Sequence, residues 1–256
     1  MKTRLLVILL CLLLFSFENV YAQSFVPGQG TTTSSTASIN PERSWQFFIN
    51  YTRANNGPAD VSNSPTAGIT YGLTKYCTVS VGFPYESVIG TPQALRGFED
   101  MNFGFDFLLT PANQKLGALI GLGVKPQTTP NPALSGNGAT DYSGVLALTY
   151  NPDSKWSFSG NYGWNHWGNT GVCPANNTPF YSFIAQYNLS AQFSGSLEYY
   201  GLNPQYVNTY SNTNYWDAAL TYNINKNWNL QGEVAFGLNS QSTNQQYMLS
   251  VGYLTN

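Results

Sequence analysis

Four carboxylates and one histidine are the residues of this chain from which chemistry could be built. Asp106, Glu198, Asp217 and Glu233 each stand on the polar side of a stretch that alternates apolar and polar residues. Pairing Phe193 with Tyr222 sets Glu198 opposite Asp217, and pairing Tyr222 with Trp228 sets Asp217 opposite Glu233. Like charges directly opposed destabilise a sheet. Three carboxylates at one height cannot all stay ionised cheaply unless a cation sits among them. Two readings stay open. The acids form a constriction that favours cations or donor-bearing solutes, or they solvate an interior, hydrogen-bonded to Asn161, Gln186, Asn229 and Gln231. Lys125 and Asp141 fall nearer one end of the same interior face.

His166 is the sole histidine. Pairing Tyr150 with Trp156 brings Asp141 and Ser143 to the same end, which would give an Asp–His–Ser group at a mouth. The strand phase opposes it, because even positions of that segment face the other way and His166 points away from both partners. Catalytic residues are therefore not expected, and the chain does not read as an enzyme. No metal-ligand spacing, phosphate-binding glycine loop or nucleotide motif occurs, so no cofactor is expected. A net charge of −2 argues against a nucleic-acid partner.

The elements that must position these residues begin with the N-terminus. Lys2 and Arg4 precede an apolar run from Leu5 to Phe15, and Val20-Tyr21-Ala22 follows with small-residue spacing. This is the pattern of a secretory signal over residues 1–22, too short to span a bilayer as a helix. Cys11 lies inside the run, which argues against a lipid anchor. Residues 23–43 are rich in Ser, Thr, Gly and Pro with no apolar period. They read as a flexible leader, or alternatively as a short plug.

From Ser44 onward, period-two alternation takes over. Apolar stripes occupy 44–52, 69–73, 77–83, 101–109, 116–124, 142–150, 156–164, 181–189, 193–199, 216–222, 228–238 and 247–253. Charged residues are only 9% of the chain, against about 25% in an ordinary soluble domain. The stripes themselves carry no charge, as expected of a face meeting hydrocarbon, where a mid-bilayer Lys or Arg costs about 2–4 kcal/mol. The opposite faces are Ser, Thr, Asn, Gln and Gly with a few acids. Aromatics reach 15% and gather at stripe ends, which suits two interfacial girdles. Short links near 74–76, 110–115, 151–155, 190–192 and 223–226 alternate with long ones at 54–66, 86–98, 126–139, 166–179 and 201–214. The expectation is an all-β chain, residues 44–256 forming a transmembrane up-and-down antiparallel β-barrel of about twelve strands. Cys77 then begins a strand at the short-turn end and Cys173 sits in an outer loop, so the two stay unpaired.

Several stretches are similar to the phenol-degradation meta-pathway (MetA) family of outer-membrane barrels. They are Thr66 to Lys75 with Val79 to Tyr85, Gly97 through Asp100 to Gly104, Gly121 to Pro126, and Trp156 to Asn165. The resemblance covers about Trp45 to Tyr253. It implies an outer-membrane transporter for small, often aromatic, compounds in a Gram-negative bacterium. The partners expected are outer-membrane lipid, a small-molecule solute and the barrel-assembly machinery. The alternatives are a structural or adhesive barrel acting through its outer loops and, least favoured, an outer-membrane hydrolase.

Overall fold

The computed structural model describes residues 37–57, 60–89, 95–111, 114–129, 139–168, 177–202, 213–240, 242 and 244–255. Thirteen strands occur among them and no helix. They are β1 (Trp45–Gly57), β2 (Asp60–Thr74), β3 (Cys77–Ile89), β4 (Leu95–Phe98), β5 (Asn102–Leu108), β6 (Leu116–Lys125) and β7 (Asp141–Tyr150). β8 (Trp156–His166), β9 (Thr178–Asn188), β10 (Phe193–Leu202), β11 (Thr213–Asn223), β12 (Trp228–Gly237) and β13 (Gln245–Leu254) complete the set. Each strand pairs antiparallel with its chain neighbour, β1 closes the sheet on β13, and β2 pairs with β3. β4 and β5 both pair with β3, end to end, so the thirteen strands make twelve staves. The chain is a closed all-β antiparallel barrel of twelve strands.

Closure pairs each stave on both sides, β4 alone pairing on one side only, so the wall satisfies its backbone polar groups within the barrel. This is the condition a strand must meet to cross hydrocarbon. The two faces of each strand differ as the alternation requires. On β7, Leu146 and Leu148 are exposed while Val145 and Ala147 between them are buried. Ile49 is 63% and Phe183 65% exposed. A continuous outward belt of Leu, Ile, Phe, Tyr and Trp far exceeds the patches that soluble monomers leave uncovered, and hydrocarbon is the cover it fits.

Aromatic pairs mark both rims. At the short-turn end Trp45 packs on Tyr71, Trp156 on Tyr187, Phe193 on Tyr222 and Trp228 on Tyr253, with ring centroids 4.4–4.7 Å apart. At the other end Tyr199 meets Trp216 and Tyr181 at 5.3 and 6.1 Å. Cross-strand aromatic pairs of this kind hold neighbouring staves together as well as filling the girdle.

Three short turns are built by one device. Asp153 Oδ1 accepts from Lys155 N and Trp156 N at 2.7 and 2.8 Å. Ser190 Oγ accepts from Gln192 N and Phe193 N, and Asn225 Oδ1 from Asn227 N and Trp228 N. In each, a side-chain oxygen at the first turn residue satisfies the two amides that the tight bend frees. The two backbone donations hold the Asp153 carboxyl below its usual range, with the Lys155 charge a lesser cause.

These turns correct two registers. Tyr222 pairs with Leu230, not Trp228, and Tyr150 pairs with Phe158, not Trp156. The turns at Asp153 and Asn225 take three residues, and the ladder runs further toward them than link length suggests. The slip is two residues in each case, so no side chain changes face.

Two of the expected long links are also corrected. Residues 54–57 and 60–66 extend the β1–β2 hairpin, and 86–88 pair with β4. The other long links fall mostly on 130–138, 169–176 and 203–212, outside the described residues. Cys77 is a free thiol; Cys173 and residues 1–36 also lie outside.

Candidate functional site: the barrel lumen

The inward face is polar. Ser, Thr, Asn and Gln supply most of its wall, as in the linked pairs Thr149–Ser159 and Asn161–Ser182 at 2.8 and 3.0 Å. Two inward phenyl rings lie over glycines. Phe48 covers Gly68 and Phe180 covers Gly163, each where a Cβ would collide with the ring. The missing side chains let aromatic mass enter without pushing the wall apart.

The short-turn end is crossed by residues 37–41. The Ala37 amide donates to Thr149 Oγ1 at 2.8 Å and the Asn40 amide to Thr78 Oγ1 at 3.2 Å. Ala37 and Ile39 pack on a cluster of Leu108, Leu119 and Ala147, and Asn40 is buried. Gly72 is where a Cβ would strike the Pro41 carbonyl. Of the leader, this described part is seated inside the wall as a strap. No apolar period could have revealed it in the sequence; the glycines on the facing strands were the available hint.

All four acids point inward and are buried. Glu198 lies opposite Asp217, as the β10–β11 register requires. Glu233 lies opposite Ala219 instead of Asp217, a correction that makes Glu233 and Asp217 diagonal neighbours. Their side chains remain within hydrogen-bonding reach of each other, and Gln231 Nε2 donates to Glu233 Oε2 at 3.3 Å. Asp106 is not part of this group. β5 lies half-way round the barrel from β11, and its carboxyl sits over Gly121. Of the other polar residues expected around the acids, Asn229 lies beside Gly252 and Gln186 Nε2 donates to Asn188 Oδ1 at 3.4 Å.

Beside the three acids stands a feature the stripes did not mark. Tyr200 and Tyr215, opposite each other on β10 and β11, stack with centroids 4.8 Å apart. Together with Ala235 they form a buried cluster. Tyr200 was legible as inward. Tyr215 was missed because it lay in the link before the Trp216 stripe, although running that alternation back one residue turns it inward.

Nearer the far end, Lys125 and Asp141 are register partners and an ion pair at 2.8 Å. Gly168 N donates to Asp141 Oδ1, and Lys125 Nζ lies 5.7 Å from the Trp167 ring centroid. The basic group is thus neutralised and covered. His166 points outward, exposed, between Tyr142 and Trp164, with Nδ1 2.7 Å from Asn177 Oδ1. It cannot reach Asp141 or Ser143, which face the interior.

Residues 22–254 match the family described as the MetA-pathway of phenol degradation. The chain belongs to that family. No curated protein sequence matches it. Among solved structures, similar ones include an outer membrane channel from Pseudomonas putida F1, with a TM-score of 0.66 at 11% identity. That alignment covers 84% of this chain and 96% of the channel. The KdgM porin gives 0.56 at 12% identity, covering 80% and 98%. The CymD monoaromatic hydrocarbon channel gives 0.51 at 11%, covering 86% and 90%. At these identities the likeness is one of fold: family member and solved channels share the outer-membrane barrel.

Proposed function

We propose that this family member is a channel of the Gram-negative outer membrane that passes small solutes, flat aromatic or hydrophobic ones among them. One observation carries the reading: the twelve-stave wall is apolar outward and polar inward, and it encloses a lumen. An adhesive or structural barrel needs the first property but not the second. The kinship of the family and the channel fold of its structural neighbours support a transport role. The printed substrate of the monoaromatic hydrocarbon channel belongs to that protein, yet inward Phe48, Phe180, Tyr200 and Tyr215 make an aromatic solute reasonable here. Outer-membrane lipid is then the surrounding partner, and the barrel-assembly machinery its route of insertion.

Twelve staves stand between the eight that side chains fill and the sixteen or more that hold an open channel, a size that suits one solute at a time rather than bulk diffusion. The test is swelling of liposomes that hold the purified protein. Faster swelling in benzyl alcohol or a small sugar than in protein-free liposomes is expected. No acceleration with any solute, with the leader present or removed, would contradict transport and leave the structural role.

A further inference from the structure

Resting on the channel reading above, we infer that Tyr200, Glu198, Asp217 and Glu233 form a binding station for small organic cations that carry an ammonium group. The geometry starts with register. Glu198 and Asp217 are directly opposed on β10 and β11, and Glu233 lies diagonal to Asp217 on β12. Tyr200 is one outward residue beyond Glu198 on the same inward face, and its hydroxyl lies within electrostatic range of all three carboxylates.

Burial makes this arrangement costly as it stands. Tyr200 is 2% exposed, Asp217 4% and Glu233 7%. The Tyr200 hydroxyl is buried without a hydrogen-bond partner, while Asp217 and Glu233, also buried, have each other's carboxyl within reach. A buried polar atom left unpaired costs about 1–3 kcal/mol, and more for a charged group. Directly opposed like charges add to it. The cations among the described residues do not relieve this. Lys125 is held by Asp141 on the far side of the sheet order, and the other described lysines and arginines are exposed. An arriving cation therefore gains what the wall lacks.

The kind of cation follows from the lining. Among the described residues, no group of three acids, histidines or cysteines is gathered tightly enough to hold a metal ion. Carboxylates spread over three strands suit a larger head with several donors, and an ammonium offers three. The Tyr200–Tyr215 pair adds ring faces of the kind that attract cations and accept a flat apolar body.

Benzylammonium is the probe, with benzyl alcohol as its neutral counterpart and magnesium ion as a bare charge. Single channels in planar bilayers carry potassium current while each is added. Benzylammonium is expected to interrupt the current and benzyl alcohol to leave it unchanged. Asp217→Asn with Glu233→Gln should raise the half-blocking concentration about tenfold, a loss of about 1.4 kcal/mol. Tyr200→Phe, which keeps the ring, should raise it a few-fold. Heat-dependent migration on a gel checks that each variant is folded. If the double variant does not fold, Tyr200→Phe alone decides. Block by magnesium ion that weakens equally in the same variants overturns the ammonium assignment, as does block by benzylammonium that no variant alters. A wild-type barrel that carries no current removes the channel reading itself, so the two failures are distinct.

Discussion

Asp100 shows how much one buried carboxylate can organise. It is fully buried, and its Oδ1 accepts from Thr128 N and Thr129 N at 2.6 and 2.8 Å. Thr128 Oγ1 in turn accepts from Met101 N at 2.8 Å. The break between β4 and β5 is thereby latched to the segment following β6. Asp100→Ala should lower stability by about 2–3 kcal/mol, since it leaves buried amides unpaired. Asp100→Asn, keeping one carbonyl acceptor, should recover part of that in urea unfolding from bilayers. Equal loss in both would mean that charge, not acceptance, matters. At this scale the sequence was half legible. Phase alone told which way each acid points, because phase is local. Contact partners depend on turns, and so Asp217 and Glu233 were set directly opposite when they are diagonal.

Turns and strand length are the business of the element. Asp153 and Ser190 show that a tight turn depends on one acceptor at its first residue, and Asn225→Ala should cost about 1 kcal/mol. Asp153 adds a pH signature. Its lowered folded-state value means that its support is present above the ordinary carboxylate range and is lost as pH falls through the lowered value. The stability gap between wild type and Asp153→Asn should therefore narrow in acid; a gap independent of pH would contradict the assignment. On the outward face, Leu146→Arg at mid-strand should cost about 2–4 kcal/mol and Tyr150→Arg near the rim about 0–1, measured in the same way. All twelve apolar stripes correspond to staves. Their outer extensions were illegible, because residues such as Asn55, Ser62 and Asn63 continue the ladder past the apolar band, where no hydrophobic pattern marks them.

For the whole molecule, the barrel was readable because hydrocarbon imposes one rule on every strand, and that rule is written in composition. The lumen was less so. What fills it depends on which inward residues meet across staves and on a strap that carries no period. Gly72→Val should dislodge residues 37–41 and raise single-channel conductance several-fold, as should removal of residues 23–41. Conductance unchanged in both would show that the strap does not limit the pore.

The account stands on the two faces of each stave meeting different media. A photoactivated carbene carried on a phospholipid acyl chain tests this directly, with adducts located by mass spectrometry along β7 in reconstituted protein. Adducts should fall on Tyr142, Leu146 and Leu148 and spare Val145, Ala147 and Thr149. Labelling on both sets, or on neither, would contradict a barrel whose outward face lies in the bilayer.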